Sequence, residues 1–270
     1  MGEAARSLGL ASSAGVAPSA PIVAVLGATE GVGRTTIVAL LARAFGDVSR
    51  SERVLAVDLD ARGRGLADVL GRDCASRAAA SNDTEPRSSR RARAAIDVLA
   101  PRAGAGASLD DPGNGPGLVG LMAQVATRYG AVVVDTPSDF GWSTQATLRV
   151  ATSVVLVATP KPEGIASVVL AARRLARVTP GRVAWIVVNQ ATPRAARATF
   201  AAIEDCCAAL NGASDIELRF LCAVAPDAAL SGAPTTPRLG AGSGLDASSS
   251  AWNLAAARRA AGMLTNEVWS

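Results

Sequence analysis

The chain contains no histidine. That excludes His-dependent triads, imidazole general bases and imidazole metal ligands, and leaves carboxylates, hydroxyls, thiols and cations as its chemical means. Lysine is almost as scarce: Lys161 is the only one, so the formal net charge of +4 rests on arginine. Such a balance permits weak contact with nucleic acid or an anionic surface without arguing for it. Aromatic residues make up only 3%, so the interior must be built from Val, Leu, Ile and Ala, which suits helices packed on a parallel sheet. The four cysteines, Cys74, Cys206, Cys207 and Cys222, show neither metal-ligand spacing nor a CxxC pair. They read as reduced thiols in a cytoplasmic protein. No apolar run approaches the roughly 20 residues of a membrane span. Residues 1–20 are rich in Ala, Ser and Gly and lack the charged and apolar regions of a secretion signal, so a flexible tail is expected there.

What the sequence does have is length and alternation. A chain of 270 residues suits one sizeable α/β core better than two independent domains. Apolar runs predict strands over 22–26, 53–60, 131–135, 153–158, 183–188 and 217–224. Helical stripes predict helices between them, near 37–45, 118–129, 143–150, 164–178 and 194–210, with a last one at about 251–264. Strands apolar almost throughout mark a mostly parallel sheet covered by helices on both faces. From about 71 to 116 the pattern collapses into Ala, Ser, Arg, Gly and Pro, with only 95–99 resembling a short strand. The expectation is a single domain over 21–270 carrying a low-complexity insertion or long loop at 71–116. The cluster Arg87, Arg90, Arg91 and Arg93 inside it has no interleaved aromatics for base stacking and reads as a solvated loop.

The polar residues of interest all fall at the C-terminal ends of predicted strands. Gly27-Ala28-Thr29-Glu30-Gly31-Val32-Gly33-Arg34-Thr35-Thr36 lies between the first strand and the first helix. This is the layout of a loop that aims backbone N–H groups and a helix N-terminus at an anion. Gly31 and Gly33 allow the turn because glycine tolerates positive φ. Asp58 and Asp60 close the second strand, Asp135-Thr136-Pro137 closes another, Asn189 follows 183–188, and Pro226-Asp227 follows 217–224. Acids at strand ends also cap helices, and a strand-end Asn is as often a turn residue. A shared edge, where open α/β sheets bind ligands, accounts for all of them together.

On these motifs the chain resembles the MinD/ParA group of deviant P-loop ATPases, from Pro21 onward and least well across 71–116. The family pattern Lys-Gly-Gly-x-Gly-Lys-Thr-Thr falls on 29–36, where Gly31, Gly33, Thr35 and Thr36 match and Thr29, Glu30 and Arg34 do not. The resemblance implies a P-loop NTPase fold of the MinD/ParA type that binds ATP and Mg²⁺. Gly31, Val32, Gly33, Arg34, Thr35 and Thr36 would hold phosphate; Thr35, Asp58 and Asp135 would serve the metal. Asp60 would orient the attacking water, and Asn189, Pro226 and Asp227 would face the adenine.

The three departures matter physically. Arg34 keeps a positive charge, but its planar fork does not replace an ammonium in the same cradle. Thr29 stands where the family lysine reaches the partner subunit's nucleotide, and a neutral hydroxyl cannot stabilise charge developing on the γ-phosphate. Glu30 places a carboxylate beside an anionic ligand. The expected protein therefore binds adenine nucleotide with weak or absent hydrolysis. It would act as a homodimeric positioning or partitioning switch or scaffold, with a protein partner in a positioning, pilus or secretion assembly and at most weak, non-specific DNA contact. Trp252 and Leu254 lie on different faces of the last helix and Arg258-Arg259 interrupts it, so packing on the domain is expected rather than membrane contact. The main alternative is a pseudo-ATPase without nucleotide, a structural localisation partner similar to the TadZ/CpaE proteins. A metabolic ligase of the wider family would need further polar groups near the loop, and no such set is evident.

Overall fold

The structure, a computed structural model, describes residues 20–48, 53–60, 65–70, 76–78, 96–100, 115–210, 216–226 and 250–269. Five consecutive apolar residues make β1 (Ile22–Leu26), and the chain then alternates through α1 (Arg34–Val48), β2 (Val54–Asp58), α2 (Leu66–Leu70), β3 (Ser76–Ala78) and β4 (Ile96–Ala100). It continues through α3 (Gly115–Ala126), β5 (Ala131–Asp135), α4 (Trp142–Val150), β6 (Ser153–Ala158), α5 (Pro162–Val178), β7 (Val183–Asn189), α6 (Pro193–Ala209), β8 (Glu217–Val224) and α7 (Ser250–Trp269).

Among the described residues the strands form one eight-stranded sheet in the order β3-β4-β2-β5-β1-β6-β7-β8. Every pairing is parallel, as helical crossovers between apolar strands require. Alternate side chains of the central strands enter different cores. Ile22, Ala24 and Leu26 pack with residues of α3 to α6, whereas Val23 and Val25 pack with α1, α2 and α7. Both faces are covered, which is why the strands carry no polar alternation.

Helix ends follow local chemistry. Pro162 opens α5, with Glu163 in its first turn and Arg177 in its last, both favourable to the helix dipole. In α6, Thr192 caps the helix by accepting from Ala195 N at 3.3 Å, and Pro193 follows it. The first turn of α1 carries no acidic residue and its entry is the glycine loop, so its free N–H groups face whatever that loop holds.

Several boundaries differ from the sequence expectation. β2 stops at Asp58 rather than running to 60, because the Asp58 carboxylate accepts from Asp60 N at 3.1 Å and turns the backbone out of the ladder. The irregular stretch 71–116 contributes two strands: β3, unexpected because three residues carry no periodicity, and β4, close to the expected 95–99. α2 was not anticipated either, and α7 runs beyond 264 to Trp269. Within α7, Ala257, Ala260, Ala261 and Leu264 are buried, and the helix packs along α1. Arg258 reaches Asp47 of α1 at 2.6 Å. Residues 1–19 and the Arg87 to Arg93 cluster lie outside the described residues. No helix among the described residues is long and apolar enough to cross a membrane.

Candidate functional site

β1 sits between β5 and β6, where the strand order reverses, and ligands of open parallel sheets bind at the C-terminal edge beside such a reversal. The loop leaving β1 turns through Gly31 at φ +77° and Gly33 at φ +90°, backbone that a side chain with a Cβ resists. Asn189, at the end of β7, fixes this turn from across the sheet. Its Nδ2 donates to the Val32 carbonyl at 2.9 Å and its Oδ1 accepts from Gln190 N at 2.9 Å. Both polar atoms of Asn189 are thus engaged within the protein, and the residue is 5% exposed. Gln190 itself adopts φ +57°, which turns the chain away after the strand.

β5 supplies the acid at the centre. Thr136 donates through its hydroxyl to the Val25 carbonyl at 2.9 Å, pinning the end of β5 against β1. That places Asp135 beside the first turn of α1, where Thr35 Oγ1 donates to Asp135 Oδ2 at 2.6 Å. Asp135 is fully buried, and its Oδ1 has no hydrogen-bond partner among the described residues. Burial pushes its carboxyl up to about 7, against the lowering effects of the Thr35 hydrogen bond and the Arg34 charge. A buried carboxylate oxygen without a donor, next to a threonine hydroxyl, fits a hard divalent cation that completes its shell with water and phosphate. Among the described residues no cluster of three or more Asp, Glu or Cys could hold a metal by itself.

β2 brings the remaining acids. Asp58 accepts from Leu66 N at 2.8 Å and from Asp60 N at 3.1 Å. Its pKa is raised, chiefly by burial and also by the neighbouring Asp60 charge, against the lowering effect of these two bonds. Asp60 is met by Arg34, whose Nη2 lies 2.6 Å from Asp60 Oδ2 while Nη1 donates to the Gly27 carbonyl at 2.8 Å. The guanidinium expected on phosphate is thus bound to the acid expected to place water. Thr29 and Glu30 are exposed at the loop tip, and Thr36 is partly exposed.

The structure therefore gathers Gly31, Val32, Gly33, Arg34, Thr35, Thr36, Asp58, Asp60, Asp135 and Asn189 at one edge. Pro226 stands at the same edge, two residues beyond Val224, the register partner of Asn189. Asp227 lies outside the described residues. The sequence placed Gly27 in the loop but did not show it as the acceptor for Arg34, and Asn253 was missed. Asn253 is fully buried in α7, where its Oδ1 accepts from Ala225 N at 2.8 Å and its Nδ2 donates to the Ala225 carbonyl at 3.3 Å. It sits on the buried stripe of α7, four residues before Ala257, and a polar residue in an apolar stripe was the available signal.

The arrangement defines a parallel α/β fold with a glycine loop at its switch point. No family model and no curated protein matches the chain. Solved structures do. The cell division ATPase MinD of Pyrococcus furiosus superposes with a TM-score of 0.63 at 17% identity, covering 90% of this chain and 99% of that one. MinD of Pyrococcus horikoshii, solved with Mg-ADP, gives 0.62 at 17% over 91% and 96%. A ParA family ATPase of Chlorobium tepidum gives 0.59 at 16% over 93% and 99%. The chain has the MinD/ParA-type fold, as the motifs implied.

Proposed function

We propose that this chain is an adenine-nucleotide-binding protein with weak or absent ATP hydrolysis, acting as a dimerising switch or scaffold that positions another assembly. The observation that carries the reading is the Thr35–Asp135 pair with its unpartnered buried oxygen. Thr35 and Asp135, with Asp58 behind them, would hold Mg²⁺. The loop amides of 31–36 would hold phosphate, and Pro226 and Asp227 would flank the base. The Mg-ADP complex of the Pyrococcus horikoshii relative supports the choice of ligand. The bound cation would neutralise phosphate charge, while Thr35 and the α1 N-terminus orient the phosphate. Asp60 would place water once released from Arg34. The neutral Thr29 and the exposed carboxylate of Glu30 supply no positive charge for the γ-phosphate, which argues for slow turnover.

Calorimetry of the full chain with ATP in the presence and absence of Mg²⁺, together with phosphate release, tests this. Micromolar, Mg²⁺-dependent binding with little release is expected. The absence of any heat of binding would favour the second reading, a pseudo-ATPase partner without nucleotide. The specific observation in favour of that reading is the Arg34–Asp60 ion pair.

A further inference from the structure

We infer that Asp60 is an affinity-determining residue, an internal competitor that holds Arg34 until nucleotide phosphate takes its place. The inference rests on the nucleotide-binding reading of this site. Arg34 spans its own loop: the guanidinium returns from the first turn of α1 to the Gly27 carbonyl, the residue that leaves β1, and at the same time grips Asp60 beyond β2. The side chain is packed there as well as bonded. A Cβ on Gly27 would meet Val32 Cγ2 at 2.8 Å and stand 3.2 Å from Arg34 Cδ and 3.3 Å from Cγ, so glycine leaves room here for Val32 and for the arginine stem beside it.

The pair is 7% and 15% exposed, so water and salt screen it far less than a surface pair. Its 2.6 Å separation is that of a short, charge-assisted hydrogen bond. The planar fork is what makes the double grip possible, one nitrogen to a carbonyl and another to a carboxylate, whereas an ammonium is a single point of charge. A phosphate that recruits Arg34 must therefore displace a carboxylate already in place. The exchange reaches the next acid directly, since Asp60 N donates to Asp58. Nucleotide arrival at the loop is in this way coupled to the end of β2 through one side chain.

The test uses the full chain, with Mg²⁺-ATP and inorganic tripolyphosphate as probes in calorimetry. Asp60→Asn removes the competing charge and should tighten both ligands on the order of tenfold. Arg34→Lys keeps the cation but loses the double grip, and should tighten them by a smaller factor. Thermal melts confirm folding; if Asp60→Asn does not fold, Arg34→Lys decides alone. A wild type that binds, with variants that bind equally or more weakly, overturns the competition and leaves the nucleotide reading standing. Binding by Asp60→Asn but not by wild type upholds the competition and removes nucleotide from the wild-type function. No binding by any of the three overturns both.

Discussion

Asn189 leaves no room for a side chain at Gly33: a Cβ there would run into the Asn189 amide, which is bonded to the Val32 carbonyl. Two elements far apart in sequence thus set the loop's shape together, and each can be tested separately. Gly33→Ala combines this clash with a φ of +90° and should cost about 1–3 kcal/mol of stability, with loss of ATP binding in calorimetry.

Asn189→Ala asks whether this residue shapes the loop or reads a base. Acting through the loop, it should weaken ATP, GTP and inorganic tripolyphosphate by similar factors. A loss confined to ATP would assign Asn189 to the adenine instead.

The buried Asp135 predicts a pH dependence with a definite sign. Its carboxyl titrates at about 7 in the fold against an ordinary 3.8. Between those values the native state keeps a proton that the unfolded chain has released. Stability therefore falls as pH rises from about 4 to about 7, and the penalty is complete above that. Asp135→Asn should raise the melting temperature of the ligand-free protein at pH 8 by several degrees, at about 2–4 °C per kcal/mol for a chain of this size. The same variant should abolish any stabilisation by Mg²⁺ with nucleotide. A lower melting temperature for the variant at pH 8 would contradict the sign.

At the opposite end of the sheet, Arg53 lies 2.6 Å from Asp97, which is 1% exposed, and its guanidinium stands 5.4 Å from the Tyr129 ring centre. Burial pushes the Tyr129 phenol up to about 12. Arg53→Ala strands a buried carboxylate and should cost about 3 kcal/mol, while ATP affinity stays within twofold of wild type. A denaturant titration and calorimetry separate the two effects.

Asn253→Ala removes the two bonds that hold Ala225 to α7. Leaving those backbone groups unpaired should cost about 1–3 kcal/mol. Because Ala225 precedes Pro226, ATP affinity should fall more than tripolyphosphate affinity. Equal losses for both would detach Asn253 from the base side.

The central strands were legible in the sequence because both of their faces are buried, so burial leaves a continuous apolar run such as 131–134 or 154–158. The strand-end acids were legible because a carboxylate closing such a run has a fixed position on the sheet edge. Arg34 was legible as a departure but not as a bond: which acceptor a long side chain chooses depends on Asp60, brought to it by the β1–β5–β2 order of the sheet. β3 escaped because three residues paired in register with Val98 to Ala100 carry no pattern of their own. Asn253 escaped for a different reason. A polar residue in the apolar stripe of α7 was visible, but its partner is a backbone position, which leaves no signature in composition.

The bond from Asn189 to Val32 joins residues 157 apart in the chain, and that from Thr35 to Asp135 joins residues 100 apart. During synthesis, at roughly 5–20 residues per second, the glycine loop would leave the ribosome many seconds before the strand that fixes its turn. A nascent chain ending before β7 would carry every phosphate-loop residue of this protein without Asn189 to set their geometry. Under the proposed nucleotide-binding reading, nucleotide would favour chains whose β7 has been made and has paired with β6, and its binding would report completion of the sheet rather than presence of the motif.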